Sequence, residues 1–222
     1  MKISNGIKAV SLIVLVLLID QIVKIQVKTS MTIGESITVF GNWFFIKFIE
    51  NPGMAFGLDI PGKYGKPVLT LFRIIAVAAI GWYLRELIRQ KAKTGLVLCV
   101  ALIMAGATGN IIDSLFYGLI FNDSTYFSVA TMFPDGGGYA SLLHGRVVDM
   151  LYFPVIRGTY PQWFPWNAGE DFIFFRPIFN LADSAISIGI FLILIFQKRY
   201  FIGNKPVTEE GTGDEGRGTS EE

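Results

Sequence analysis

Phe179-Asn180-Leu181-Ala182-Asp183-Ser184-Ala185-Ile186 opens a mostly apolar run that reaches Phe196. A run of that length predicts a transmembrane helix, with Asp183 about one turn below its entrance. A carboxylate at such a place costs roughly 3 kcal/mol near the helix centre and less near the interface, so it is read as functional unless packing or a partner accounts for it. The partner that the chain offers is Asp149, within Gly145-Arg146-Val147-Val148-Asp149-Met150-Leu151-Tyr152-Phe153. An acid with apolar residues on both sides predicts a partly buried carboxylate whose pKa is raised.

Composition sets the surroundings of that run. Of 222 residues, 52% are hydrophobic and 17% charged, and the mean hydropathy is +0.50, which fits a small polytopic membrane protein. Working outward, the first apolar run spans residues 9–27 and is interrupted by Asp20, Gln21 and Lys24; no small-x-small cleavage site follows it, so it reads as a retained helix rather than a signal peptide. Pro67 to Leu84, with Arg73 near its start, is the second predicted helix, and Thr94 to Ile112 is the third. Arg85, Arg89, Lys91 and Lys93 crowd the short loop between these two, which the positive-inside rule assigns to the cytoplasm together with both chain ends. Ala101, Ala105 and Gly109 form a stripe of small residues that allows close helix packing.

The expected fold is a mainly α membrane protein with four transmembrane helices in a single domain over residues 1–202, followed by a disordered cytoplasmic tail over 203–222. Ser36 to Asn51 is rich in β-branched and aromatic residues around Gly41-Asn42, which predicts two short strands and a small extracytoplasmic β element reaching to about residue 57. The outer segment 114–178 contains Tyr160-Pro161-Gln162-Trp163-Phe164-Pro165-Trp166, the composition of an element pressed against the membrane interface.

This topology sorts the polar residues. Asp20 and Lys24, Asn51, Asn110 and Asp113, Asp149, and Asn180 and Asp183 all fall near the outer surface, the pattern expected of an active site or ion pathway inside a helical bundle. Asp20 and Lys24 are four apart and so share a face, where they form an ion pair or leave a snorkelling lysine beside an incidental acid. Asn110 and Asp113 also face one way, as site residues or as polar groups closing a helix end. With His144 as the chain's only histidine, an H-E-x-x-H zinc site is excluded, and this histidine has neither the intramembrane position nor the nucleophile-elbow serine that a serine protease needs. The only cysteine, Cys99, lies toward the other end of its helix and excludes disulfide and thiolate-metal frameworks. Two carboxylates around one water remain, a pair able to hydrolyse an amide without metal or cofactor.

Asp20-Gln21-x-x-Lys24, Glu50-Asn51-x-Gly53-x-Ala55-Phe56-Gly57, Gly109-Asn110-x-x-Asp113, Val147-Val148-Asp149 and Phe179-Asn180-x-Ala182-Asp183 follow one another as in the lipoprotein signal peptidases, signal peptidase II, which the chain resembles over residues 10–197. The resemblance implies an intramembrane aspartic endopeptidase with Asp149 and Asp183 as the catalytic pair. Its substrates would be diacylglyceryl-modified prolipoproteins, cut on the amino side of the lipidated cysteine. Asp20, Lys24, Asn51, Gly53, Asn110, Asp113 and Asn180 would support the site or bind substrate backbone. It further implies a multi-pass enzyme of the bacterial cytoplasmic (inner) membrane, in contact with membrane lipids, acting as a monomer, with no cofactor and no nucleic-acid partner. In two respects the chain departs from the family. Ser114 stands where the family commonly has arginine, with Arg146 as a candidate replacement, and segments 114–145 and 154–177 are longer than usual, as a lid, a cover or simple decoration. A proton-coupled transporter would use the same acids as a relay but calls for an inverted repeat that this chain lacks. A lipoprotein-binding scaffold would not need both acids.

Overall fold

The computed structural model describes residues 3–52, 65–175 and 177–202. Gly53 to Gly57 of its motif and the tail 203–222 lie outside the described residues. Helix α1 (Asn5–Ser30) begins at Ser4, whose hydroxyl accepts the Ile7 N–H. It leads into β1 (Ser36–Phe40) and β2 (Phe44–Asn51), joined across Gly41, which has φ 53°. Helices α2 (Gly65–Arg89) and α3 (Thr94–Ile112) follow. The α3 helix runs on through a π-helical turn (Asp113–Tyr117) into a last short turn, α4 (Gly118–Ile120). After a long connection come β3 (Val147–Tyr152), the hairpin strands β4 (Ile156–Thr159) and β5 (Asp171–Phe175), β6 (Ile178–Phe179) and α5 (Leu181–Ile195).

Helices α1, α2 and α3, the last with its extension, are long and apolar enough to cross a membrane. The predicted fourth span is shorter: α5 has 15 residues, or about 22 Å of regular helix against about 30 Å of hydrocarbon, and a π-helical turn at Lys198–Ile202 lies beyond it. Val10, Val14, Leu18, Phe72, Ile75, Trp82 and Phe191 are exposed on the helix exteriors, an apolar surface of the kind that lipid covers.

Around α3 the other helices α1, α2 and α5 are packed. At one end Ala9, Leu84, Leu87, Leu96, Val97 and Ala101 form a core; at the other, Val27, Met31, Phe48, Tyr117, Val148 and Met150 join helix ends to the sheet. Small residues set the helix separation. A β-carbon on Gly106 would stand 2.1 Å from the Ala182 carbonyl oxygen, and one on Gly189 would stand 2.7 Å from that of Cys99. The expected stripe of Ala101, Ala105 and Gly109 is buried, and Gly109 meets the Asp20 carboxylate of α1.

The β element is larger than the two strands predicted. Antiparallel pairing gives the order β1-β2-β3-β6, with Asp149 opposite Ile49 and Val147 opposite Asn51. The first four residues of β3 are buried. A strand covered on both faces carries apolar residues without alternation, so its sequence shows no period of two. The inserted segment 154–177 contributes a separate hairpin, β4 with β5, on which Tyr160 packs against Phe164 and Phe172 at ring separations of 4.8 and 4.7 Å.

Because the Gly106 contact is with backbone, it has no rotamer through which to yield. Gly106→Leu is expected to lower the thermal unfolding midpoint in detergent and to cost about 1–3 kcal/mol or more by overpacking. A variant that melts with the wild type would show that α5 does not need this approach.

Candidate active site

Lys24 lies toward the C-terminal end of α1 and is completely buried. Its ammonium stands 2.9 Å from Asp20 on the same helix, 2.9 Å from Asp113 and 2.9 Å from the side-chain oxygen of Asn110. Asp20 also accepts the Ala182 N–H at 2.9 Å, closing one of the open donors at the α5 N-terminus. Asp113 accepts the Val148 N–H of β3 at 3.3 Å and the Gln21 amide at 3.0 Å, while the Tyr117 hydroxyl donates to Gln21. Asp113, Ser114 and Tyr117, in the π-helical turn that begins at Asp113, are all buried.

Asn180 and Asn110 link the two acids. Asn180 donates through Nδ2 to Asp149 at 2.8 Å and to the Asn110 Oδ1 at 3.1 Å; Asn110 in turn donates to Asp183 Oδ1 at 2.7 Å. Asn180 is also the N-cap of α5. Its Oδ1 accepts the Asp183 N–H at 2.9 Å, and Asp183 Oδ2 accepts the Asn180 N–H at 3.3 Å, a reciprocal capping box that orients both side chains. Asp149, on β3, is 6% exposed. Burial, and then the negative charge of Asp183, push its pKa up to about 7, against the opposing pull of hydrogen bonds from Asn180 and Asn51 and of the Lys24 ammonium.

Thus Asp20, Lys24, Asn51, Asn110, Asp113, Asp149, Asn180 and Asp183 converge through these contacts, while Gly53 lies outside the described residues. Arg146 occupies a different place. Its guanidinium binds Glu50 at 2.9 Å and Asp123 at 2.7 Å, and Glu50 pairs in turn with the buried Lys28. Ser124 completes this second charged cluster, 2.9 Å from Lys28 and 3.0 Å from Glu50. Sequence reasoning did not single out Lys28 or Glu50 as a pair; the available signal was a lysine one turn beyond Lys24 on the same helix face. Beside the acid pair, Arg73, Ala76, Val77, Ala107, Asn110, Asp183 and Ile186 line a cavity of about 240 Å³.

Two predictions come from this geometry. Lys24→Met leaves Asp20 and Asp113 buried without their cation and is expected to destabilise the protein by about 3–5 kcal/mol, read as a lower unfolding midpoint in detergent. An unchanged midpoint would mean that the cluster is not structural. For Asp149, the folded state holds the proton more tightly than the unfolded chain does, since about 7 exceeds the ordinary value of 3.8. Stability should therefore fall as pH rises from about 4 through 7, and Asp149→Asn should remove that part of the pH dependence. Parallel stability–pH curves for the two proteins would contradict it.

Comparison with known proteins gives a consistent result. The sequence model of a family described as Signal peptidase (SPase) II matches residues 12–198. A lipoprotein signal peptidase of Porphyromonas gingivalis is 46% identical over 225 residues, covering 100% of this chain and 97% of that protein. One from Amoebophilus asiaticus is 39% identical over 184 residues, covering 82% of this chain and 73% of its own length. Among solved structures, a bacterial membrane enzyme at 23% identity covers 90% of this chain and 93% of its own with a TM-score of 0.57, a likeness of fold. A second bacterial membrane enzyme structure, 26% identical, has a TM-score of 0.53 and covers 86% of this chain and 92% of its own.

Proposed function

Since the chain belongs to the signal peptidase II family, we propose that it cuts diacylglyceryl-modified prolipoproteins on the amino side of the lipidated cysteine, using Asp149 and Asp183 as an aspartic pair. The observation that carries this reading is the bridge Asp149–Asn180–Asn110–Asp183, which fixes the buried Asp149 carboxyl and the half-buried Asp183 carboxyl at the meeting of β3, α3 and α5. Asp149, with its raised pKa, holds the shared proton. Asp183 takes a proton from water as the water oxygen attacks the scissile carbonyl carbon; Asp149 then gives its proton to the departing nitrogen as the C–N bond breaks. Asn110 and Asn180 hold the pair in place, and Asp20, Lys24 and Asp113 hold the elements on which the pair is mounted.

The proposal includes the setting. Four crossings, with α5 and the turn beyond it as the last, put both chain ends and the basic 85–93 loop on the cytoplasmic side of the inner membrane. The site then lies near the outer face, where a lipid-anchored precursor presents its cleavage region. Residues 1–202 form the single membrane domain, acting as a monomer in contact with membrane lipids.

The test is cleavage of a diacylglyceryl-modified precursor by purified enzyme, with the new N-terminus read by mass spectrometry. Asp149→Asn and Asp183→Asn should each remain folded and lower the rate by roughly a hundred- to ten-thousandfold, the usual contribution of general acid–base help. The wild-type rate should persist in EDTA. A folded variant of either acid that cleaves at the wild-type rate, or an enzyme silenced by chelation and restored by zinc, would overturn the aspartic mechanism.

A further inference from the structure

Ser114 follows Asp113 at the position where the family resemblance places an arginine, and the structure leaves no room for one. Its side chain is 2% exposed, with Oγ donating to the Asn110 carbonyl at 2.9 Å. Gly145 passes directly over this turn: its N–H bonds the Ser114 carbonyl at 2.9 Å, and a β-carbon on it would stand 2.0 Å from the Asp113 carbonyl oxygen. Nor does Arg146 supply the missing charge to the acid pair, since its guanidinium is engaged by Glu50 and Asp123.

A different arginine is at hand. Arg73 is half-buried on α2, and Ala76 and Val77, three and four residues on, share its face. Together they form the α2 side of the 240 Å³ cavity; Ala107 and Ile186 add further apolar lining, and Asn110 and Asp183 bring its polar groups. Both Asp183 and Asp149 act electrostatically on Arg73. An arginine within a membrane helix, facing such a cavity, marks a functional position by its cost alone.

We propose that Arg73 is a substrate-positioning residue that donates hydrogen bonds to a carbonyl oxygen of the lipid-modified precursor, taking over the work of the arginine that Ser114 displaces. This rests on the peptidase reading above. Guanidinium offers five N–H donors in a planar fork and accepts nothing, so it selects an acceptor. The acceptors that this substrate brings to the cavity are carbonyl oxygens, for which a charged donor makes the stronger hydrogen bond. They have two sources: the ester groups of the diacylglyceryl moiety and the peptide carbonyls beside the scissile bond.

The experiment uses the full-length enzyme with two synthetic precursors, one carrying ester-linked acyl chains and one the corresponding ether-linked alkyl chains. Arg73→Gln should lower kcat/KM on the ester precursor roughly ten- to hundredfold, mainly through KM. Arg73→Lys, which keeps the charge but not the fork, should recover part of the loss and guards against a misfolded Gln variant. If the acceptor is a lipid ester, the penalty disappears on the ether precursor; if it is a peptide carbonyl, the penalty is the same on both. Unchanged kcat/KM for folded variants on both precursors would overturn the proposal. So would a shift of the pH–rate profile at constant KM, because that result would assign Arg73 to tuning the acids. Cleavage by Asp183→Asn at the wild-type rate would instead sink the underlying peptidase mechanism, which keeps the two failures distinct.

Discussion

An ammonium group with no exposure to water has to be neutralised where it stands, and the position of Lys24 therefore dictates what can surround it. It is met by Asp20 from its own helix and by Asp113 and Asn110 from α3. Each partner has a second bond that reaches further. Asp20 closes the first turn of α5, Asp113 receives the backbone of β3, and Asn110 binds Asp183. One buried cation thus sets the relative position of α1, α3, α5 and the sheet, and the two acids are carried on elements whose mutual placement it controls.

The acids themselves sit in unlike surroundings. Asp183 belongs to a helix start, where its oxygens accept N–H groups from Asn110 and Asn180. Asp149 is in a strand buried between the core that joins the sheet to the helix ends, through Val148 and Met150, and the helix bundle. An asymmetric pair needs one member exposed to desolvation more than to donors, and a strand threaded between two packed layers provides that. The stacked rings of Phe44, Phe153 and Phe179, with centroids 4.7 and 5.6 Å apart, hold together the strands that border it.

Much of this was readable from the chain. Hydropathy marks the helices, and the third run, Thr94 to Ile112, matches α3 as found. The Gly41 turn separates the two strands that β-branched and aromatic composition predicts. The spacing of Asp20 and Lys24 places them on one face, where they pair. Other features were hidden for definite reasons. A strand buried on both sides has no alternation to read, so β3 passed as an apolar stretch around an acid. The cluster of Lys28, Glu50, Asp123, Ser124 and Arg146 joins residues from four separated segments, and nothing local in any one segment reports the others. The span of α5 is likewise less than its apolar run implies, because Phe179 at the head of that run pairs in β6 and Asn180 caps the helix.

The ion pair between Asp20 and Lys24 lies within a single helix, and this has a bearing on how the protein is made. In biosynthesis α1 emerges and enters the bilayer while α3, which carries Asp113 and Asn110, is still unsynthesised. A lone lysine at that depth would oppose insertion, whereas a lysine already balanced by an acid one turn earlier travels as a near-neutral unit. When α3 arrives, the same lysine has hydrogens left for Asp113 and Asn110. The pair is thus a temporary shelter that becomes a permanent joint, and the order of translation matches the order in which the lysine acquires its partners.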